Sequence, residues 1–286
     1  MSASLARLAE LGARYRDPWV ELDFDAADAS RPWLPYELLS LAALPVQATM
    51  TESERLRLSH VDFARLCAAG LWLEGLLISR VTARGFVGAP TDEARIMLQE
   101  VREEAGHGLM FLEMIERAGL SRVELLGPTR LLTWIARRLE PRHAEFWAMV
   151  YIGESITNNF AARALRPDSE SGRICPLARQ VLALHHRDEA RHIAAARTLL
   201  EARIGAMGAL RRHAFAATFG FLLERFLTAT LYPTPASLAV LGFKQPRRLA
   251  RAVRACPARG RVACACAAPA LRFIARAGFA ARGAEA

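Results

Sequence analysis

The chain has 286 residues, of which 52% are apolar, and a formal net charge of +9. This composition excludes a chain too polar to build a core, and it predicts a soluble globular body with one large domain rather than two. The five cysteines are odd in number and irregularly spaced, which excludes a disulfide framework.

Residues 1–50 contain four prolines with acidic and aromatic residues between them. This pattern predicts a short helix followed by an irregular wrap. Charged residues are spread through the first turns, so no apolar run of the kind found in a secretory signal is present. We therefore expect a cytoplasmic location.

A domain is predicted over residues 51–243, and two long helices open it. Thr51 and Glu54 match a capping box, which predicts a helix running to about Arg84. Thr91 is the expected cap of the next helix, and Gly119 is suited to end it. Both helices are long enough to line a core.

Three further helices are predicted after a shorter one around residues 130–139. Pro141 suits the first turn of the third long helix, and residues 166–172 read as a loop. Pro176 starts a fourth helix that reaches about Ile204. An apolar helix is predicted over 209–231, and its most apolar segment, Phe215 to Tyr232, is interrupted by Glu224 and Arg225 and is too short for a membrane span. Because no stretch alternates like a strand, the predicted fold class is all-α.

Residues 244–286 form a basic tail with ten basic residues against one acidic residue. The tail therefore carries the whole net charge, and the body is neutral. Such a tail is either a basic arm for nucleic acid or an anionic membrane, or a poorly ordered, solvated segment. We expect the second, because basic blocks usually remain in solvent. Neither nucleic acid nor a membrane is predicted as a partner.

One hexapeptide occurs twice. Residues 102–107 read Arg-Glu-Glu-Ala-Gly-His, and residues 187–192 read Arg-Asp-Glu-Ala-Arg-His. On a helix a Glu and a His three positions apart share one face, so each copy offers an oxygen and a nitrogen to one metal ion. The pairs Glu104 with His107 and Glu189 with His192 are therefore candidate metal ligands.

Two isolated acids complete this pattern. Glu74 is the only charged residue between Arg65 and Arg80, and Glu154 is the only one between Glu145 and Arg163. A buried carboxylate without a partner is costly or stays protonated, and a bound cation removes both problems. One Glu from each of two helices plus Glu-x-x-His from two others is the ligand set of di-iron and di-manganese four-helix bundles.

The alternative is that the Glu-x-x-His pairs lie on the surface and the two isolated acids are protonated core residues. That arrangement requires two uncompensated burials, so the metal site is preferred. His185 lies within an arc of about 60° with Glu189 and His192 on one helix face. It is either a core histidine bonded to a backbone carbonyl or a further ligand, and beside a metal site we predict ligation. His186 is expected to point away.

Residues next to the ligands have more open roles. Glu103 could replace Glu104 as a ligand, but the parallel with the second copy favours Glu104. Glu103 and Asp188 are predicted to accept the distal N–H of a metal-bound histidine, with ordinary solvated acids as the alternative. Tyr151 and Asn158 share the face of Glu154 and would touch substrate or a metal-bound oxygen, or else pack in the core.

These positions together resemble the p-aminobenzoate N-oxygenase family, the AurF-type di-iron oxygenases. The resemblance covers about residues 50–235 and follows the ordered pattern Glu, Glu-x-x-His, Glu, His-x-x-x-Glu-x-x-His. The third histidine distinguishes that family from ferritin-like oxidases with two. The matching residues are Glu74, Glu104, His107, Glu154, His185, Glu189 and His192.

The resemblance implies a ferritin-like four-helix bundle with additional helices and a centre of two iron ions, with manganese also compatible with these ligands. It implies oxygenation of an amine by O2, through hydroxylamine and nitroso to nitro product. The substrate would be a small amine or a carrier-bound amino acid of natural-product biosynthesis, and an external donor protein would supply electrons.

Several rival functions remain at this point. They are ferroxidase or iron storage activity, a radical-generating subunit or C–H oxidoreductase, and a degenerate bundle that binds through its tail. The third histidine and the complete ligand set favour the N-oxygenase. A homodimer through exposed apolar helix faces is also expected.

Overall fold

The computed structural model describes residues 3–85, 88–121, 130–166 and 173–278. Among these, every regular element is helical. The α-helices are α1 (Ala3–Gly12), α2 (Pro18–Glu21), α3 (Pro45–Thr49), α4 (Glu52–Arg80), α5 (Thr91–Arg117), α6 (Arg130–Ala136), α7 (Ala144–Ala164), α8 (Pro176–Gly205), α9 (Ala209–Leu231), α10 (Pro235–Val240), α11 (Pro246–Ala255) and α12 (Pro257–Arg276). Short 3-10 turns occur at Phe24–Ala26 and Tyr36–Leu38.

Four long helices form the bundle. α4 packs against α5 and α7 against α8, and contacts of α4 with α7 and of α5 with α8 join the two pairs. Around them, α1 covers α5 and α8, whereas α9 and α12 cover α7. α7 is therefore enclosed by protein, and 16 of its residues are buried.

Local signals place the helix ends close to the expected positions. Thr51 and Glu54 form the predicted capping box, with the Thr51 amide donating to the Glu54 carboxylate at 2.7 Å. α4 ends as an α-helix at Arg80 and continues as one π-helical turn, Val81–Gly85. Gly119 follows α5 with a φ of +62°, a conformation that glycine adopts without steric cost.

Two predicted starts differ by a few residues. Thr91 is the first residue of α5 rather than its cap, because Pro90 occupies the cap position. α7 begins at Ala144 instead of Pro141, whose carbonyl accepts a hydrogen bond from the Trp147 indole at 2.6 Å. Of the predicted loop 166–172, residues 167–172 lie outside the described part of the chain.

The close approach of α7 to α4 depends on Gly153. A Cβ at this position would overlap the side chain of Leu73. Because Gly153 precedes Glu154 and Leu73 precedes Glu74, this contact sets the separation of the helices that carry the two isolated acids.

The predicted poorly ordered tail is corrected by the structure. Residues 246–276 form α11 and α12, and Val253, Cys266 and Phe273 are buried in the main core. The Arg259 guanidinium is also buried, where it donates to the carbonyls of Leu231 and Leu38. The many arginines of this segment made the apolar face of its helices difficult to recognise in the sequence. One of them, Arg259, is a hydrogen-bond donor inside the protein.

Among the described residues, one stretch, Ala209–Val240, is long and apolar enough to cross a membrane by length and composition. Its Phe215, Phe219 and Phe226 are buried in the core. Of its most apolar 18-residue window, 39% is buried.

Candidate metal centre

The predicted ligands meet in the middle of the bundle. α4 contributes one carboxylate, α5 a Glu-x-x-His pair, α7 one carboxylate, and α8 the second pair together with a third histidine. All of them are buried, with exposed fractions between 0% and 7%. The residues are Glu74, Glu104, His107, Glu154, His185, Glu189 and His192.

Two carboxylates lie between two imidazoles. The Glu104 carboxylate places one oxygen 3.4 Å from His107 Nδ1 and the other 3.2 Å from His192 Nδ1. Glu189 does the same, with oxygens 3.3 Å from His107 Nδ1 and 3.2 Å from His192 Nδ1. Each carboxylate therefore reaches both histidines, which is the arrangement that allows it to bridge two ions.

The remaining three groups extend this centre on one side. His185 Nε2 lies 3.2 Å from the Glu189 carboxylate. Potential ligand atoms of Glu74, His107 and His185 lie within 4.8 Å of one another, and so do those of Glu154, His185 and Glu189. His185 thus joins both isolated acids to the central group.

Acids next to the ligands orient the histidines across the helix pair. His107 Nε2 lies 3.4 Å from Asp188 Oδ2, and His192 Nε2 lies 3.0 Å from Glu103 Oε2. Each acid therefore faces the histidine of the other hexapeptide copy. When Nε2 carries the proton and donates it to the acid, Nδ1 keeps its lone pair directed at the centre.

The electrostatics of the centre favour positive charge. Burial raises the pKa of Glu74 well above its usual range, and the neighbouring Glu104 adds to the shift. Burial also raises the pKa of Glu154 well above its usual range, with Glu189 adding to it. For His185, burial lowers the pKa to about 4, so this imidazole is neutral and free to act as a ligand.

The four central groups shift in the opposite direction. Burial would raise the pKa of Glu189, but His192 and the other imidazoles hold this pKa well below its usual range. Burial would likewise lower the pKa of His107, but Asp188, Glu104 and Glu189 raise it well above the ordinary value. These carboxylates and imidazoles stabilise one another only when positive charge lies between them.

The residues fit a pair of divalent cations. Among the described residues, both carboxylate oxygens of Glu74 and one oxygen each of Glu104, Glu154 and Glu189 are buried without a hydrogen-bond partner. Such orphaned oxygens are rare in proteins unless an ion binds them. Two divalent ions would balance the charge of four carboxylates, and the oxygen and imidazole donors suit iron or manganese.

The structure does not bring Tyr151 and Asn158 to the centre. The Tyr151 hydroxyl donates to the carbonyl of Pro269 at 3.4 Å, and its ring packs on Phe273 of α12. Asn158 contacts the imidazole of His186 instead of a ligand. Tyr151 therefore takes the packing alternative, because its side of α7 meets α12, and Asn158 contacts a side chain of α8.

Two nearby residues, Glu100 and Tyr15, were not predicted from the sequence. Glu100 is buried with one oxygen 3.7 Å from His192 Nε2, and burial raises its pKa to about 7. Its position four residues before Glu104, on the same helix face, was an available signal. The Tyr15 hydroxyl lies against Gly106, where a Cβ would overlap it, and no local pattern in the sequence indicates this contact.

An apolar cavity of about 40 Å³ adjoins the centre beside Glu154 and His185. Side chains from all four bundle helices form its wall, including Phe63, Phe111 and Phe160. Two of the candidate ligands, Glu154 and His185, are part of this wall.

Comparisons with known proteins agree with this site. A family model described as p-aminobenzoate N-oxygenase AurF matches residues 1–278. Uncharacterised proteins of Mycobacterium tuberculosis (strain CDC 1551 / Oshkosh) and Mycobacterium bovis (strain ATCC BAA-935 / AF2122/97) are 26% identical over 225 residues, which is 76% of this chain. The chain spans 64% of the length of these curated relatives.

Solved structures show the same fold. A variant of an R2-like ligand-binding oxidase with an aerobically reconstituted Mn/Fe cofactor has a TM-score of 0.60 at 13% identity, over 99% of this chain and 95% of that one. A second variant of that oxidase has a TM-score of 0.58 at 14% identity with the same coverage. The predicted all-α, ferritin-like fold is confirmed, and because the family model matches nearly the whole sequence, the chain belongs to the p-aminobenzoate N-oxygenase (AurF) family.

Proposed function

We propose that this protein is a non-haem di-iron oxygenase that uses O2 to N-oxygenate an amine. The observation that carries the proposal is a seven-ligand centre whose third histidine, His185, also lines an apolar cavity. The two ions would be held by the ligands described above, with manganese as the alternative metal. When bound in the ferrous state, they would activate O2, which provides the oxygen atom that the amine nitrogen receives.

The protein itself orients the ligands. Asp188 and Glu103 hold the Nε2 protons of His107 and His192, so both Nδ1 lone pairs remain directed at the centre. Glu103 is itself fixed by contacts with Arg191 and Arg102. This arrangement keeps the imidazoles in place while electrons and protons pass.

The protein also excludes water and positions the amine. The cavity is apolar except near Glu154 and His185, so an amine would place its nitrogen at that polar end and its carbon body among the phenylalanines. Exclusion of water protects reactive oxygen species from quenching and strengthens the electrostatic interactions inside the site. A small amine or a carrier-bound amino acid would enter by this side.

Each oxygenation consumes two external electrons. An amine, O2, two electrons and two protons give a hydroxylamine and water, so a redox partner is required. We propose that a donor protein of the iron–sulfur or flavin class approaches the surface beside Asp188, in the cytoplasm. There a surface depression of about 690 Å³ contains Asp188, the acid that contacts His107.

Charge supports this docking face. Four arginines line the depression, namely Arg14, Arg16, Arg187 and Arg191. Arg187 is paired with Glu21 and Asp188, whereas no ion pair is formed by Arg14 or Arg16 within the described residues. Free cations beside an exposed Leu11 suit an acidic protein surface.

The docking face is tested by the double substitution Arg14→Glu and Arg16→Glu. With a reduced [2Fe–2S] ferredoxin at low salt, we expect the rate of iron reduction to fall about 10-fold, because steering of a charged partner is lost. Reduction by dithionite should be unchanged, and Arg251→Glu on the exposed side of α11 serves as the control. Equal ferredoxin rates in all proteins would place the donor elsewhere.

The N-oxygenase activity is tested with protein loaded with Fe(II), O2 and a panel of aryl and aliphatic amines. We expect N-oxidised products identified by mass spectrometry, with 18O from 18O2 in the product. His185→Gln should abolish this activity, whereas the adjacent His186→Gln, which removes only the contact with Asn158, should retain it. O2 consumption without organic product would instead favour a ferroxidase or another di-metal oxidase.

A further inference from the structure

The cavity beside the metal centre has an almost wholly apolar wall. Apart from Glu154 and His185, its polar groups are the Thr157 hydroxyl and the Cys67 thiol. The Thr157 hydroxyl donates to the Glu154 carbonyl at 3.1 Å, and burial raises the pKa of Cys67 well above its usual value. The other side chains of the wall include Phe63, Leu66, Phe111, Phe160, Val181 and Leu182.

Basic side chains of the neighbouring helix turns are directed elsewhere. Arg65, on the same helix as Leu66, donates to the carbonyls of Thr230 and Tyr232. The ring of His60 contacts the Arg31 carbonyl at 2.9 Å. Within the part of the chain that the structure describes, no arginine or lysine contributes to the cavity wall.

A carboxylate would therefore be poorly accommodated here. It would lose its hydration without gaining a cation or a free hydrogen-bond donor. The substrate that gives the family its name, p-aminobenzoate, carries such a carboxylate at neutral pH.

We propose that this chain binds aromatic amines that are uncharged at the end remote from the nitrogen, and discriminates against free amino acids and aminobenzoic acids. This proposal rests on the proposed function, since it assigns the substrate class of the same cavity. Three phenylalanines suit an aromatic ring, and aromatic pairs favour edge-to-face or offset packing.

The small volume of the cavity sets a condition on ligand binding. A volume of about 40 Å³ is below the 300–1,000 Å³ of ordinary ligand pockets, so binding requires side-chain rotation. Leu66 and Leu182 are the flexible aliphatic residues of the wall, and Leu182 is 8% exposed. Leu182 lies one helical turn before His185 on α8, so a cation introduced there would become part of the cavity wall.

The test compares p-aminobenzoate with its methyl ester, which differs by the loss of one charge. Both are titrated calorimetrically into the full chain loaded with Zn(II), which holds the centre without turnover. We expect the ester to bind about 10- to 100-fold more tightly, the penalty typical of an unpaired buried polar group. Equal or tighter binding of the acid, or no binding of the ester, would overturn the proposal.

Substitution of Leu182 sharpens the test. Leu182→Arg should shift the preference by at least 10-fold toward the acid, and Leu182→Met should leave it unchanged. A preference for the acid already present in Leu182→Met would contradict the assignment. Because these measurements detect binding alone, a protein that binds the ester but forms no N-oxidised product would refute the proposed function and leave the substrate class standing.

Discussion

The core of the protein contains two clusters of buried ionisable side chains, and they differ in how their polar atoms find partners. The metal centre holds carboxylates whose oxygens, within the described residues, have few hydrogen-bond partners. The arginine cluster, formed by Asp62, Arg65 and Arg259, has its two guanidinium groups directed at backbone carbonyls. The carboxylates of the metal centre need a cation that the chain does not supply, whereas the arginines are bound by carbonyl groups of the chain itself.

The arginine cluster connects distant segments. Arg65 donates to the carbonyl of Thr230 at 2.7 Å, and Arg259 donates to that of Leu231 at 2.9 Å, where α9 ends. Asp62 accepts from the Ser40 amide at 2.6 Å. Burial lowers the pKa of Arg259 to about 10, so it stays charged at neutral pH. These contacts fix α12 and the N-terminal wrap on the bundle, which is a structural role.

The largest expected effect is the loss of metal and activity when a residue of the metal centre is replaced. Glu189→Ala removes the carboxylate that reaches both central histidines and belongs to two of the three ligand groups. We expect bound metal to fall from about two ions to less than one per chain and N-oxygenation to fall by at least about 1,000-fold, since the lost ion contributes several kcal/mol. Metal analysis and product assays check this. Retention of both ions would remove Glu189 from the ligand set.

The second prediction breaks the arginine cluster. Arg65→Met removes the donor of the buried Thr230 carbonyl and of the half-buried Ala229 and Tyr232 carbonyls, together with the cation beside Asp62, so we expect the free energy of unfolding to fall by about 3–5 kcal/mol. Metal content per folded chain should be unchanged. Urea unfolding checks the loss, with Arg251→Met, an exposed arginine, expected within about 0.5 kcal/mol of the parent.

The third prediction is that a substitution in the metal centre raises the stability of the metal-free protein. Glu74→Leu should abolish full metal loading yet stabilise the metal-free protein by about 1–4 kcal/mol, because an apolar residue replaces a buried acid without partners. The raised pKa of Glu74 means that the folded state binds more protons than the unfolded state, so stability falls as pH rises above about 4.5. The gain from Glu74→Leu should therefore grow with pH. Urea unfolding of chelator-treated protein at two pH values checks this, and destabilisation at neutral pH would refute it.

The contrast also explains what the sequence could predict. Glu74 and Glu154 stand alone in apolar helices, and helical spacing places them on the inner face, so their grouping inside the bundle could be predicted from the sequence. The order of the tail was not, because the carbonyl acceptors of Arg259 lie 28 and 221 residues away. The contact of Tyr151 with α12 could not be predicted for a related reason. Helical angles locate a face, but only the tertiary packing decides whether that face meets the centre or α12.

The smallest expected effect concerns Asp188 and Glu103, the buried acids that contact the histidine ligands. Asp188→Asn keeps the shape of the side chain but removes the charge that faces His107 Nε2 at 3.4 Å. The amide can present its NH2 group to the imidazole, which favours the wrong tautomer and turns a lone pair away from the centre. We expect metal affinity to fall about 10- to 100-fold, the usual effect of losing such a partner.

Glu103→Gln should give a smaller or equal loss, since Arg191 and Arg102 already share its charge. Glu201→Gln, an exposed acid paired with Arg197 on the same helix, is the control and should have no effect. Competition with a fluorescent chelator measures the affinities. If Asp188→Asn bound metal as tightly as the control, the acid would be structural like Asp62, and the boundary of the metal centre would end at its seven ligands.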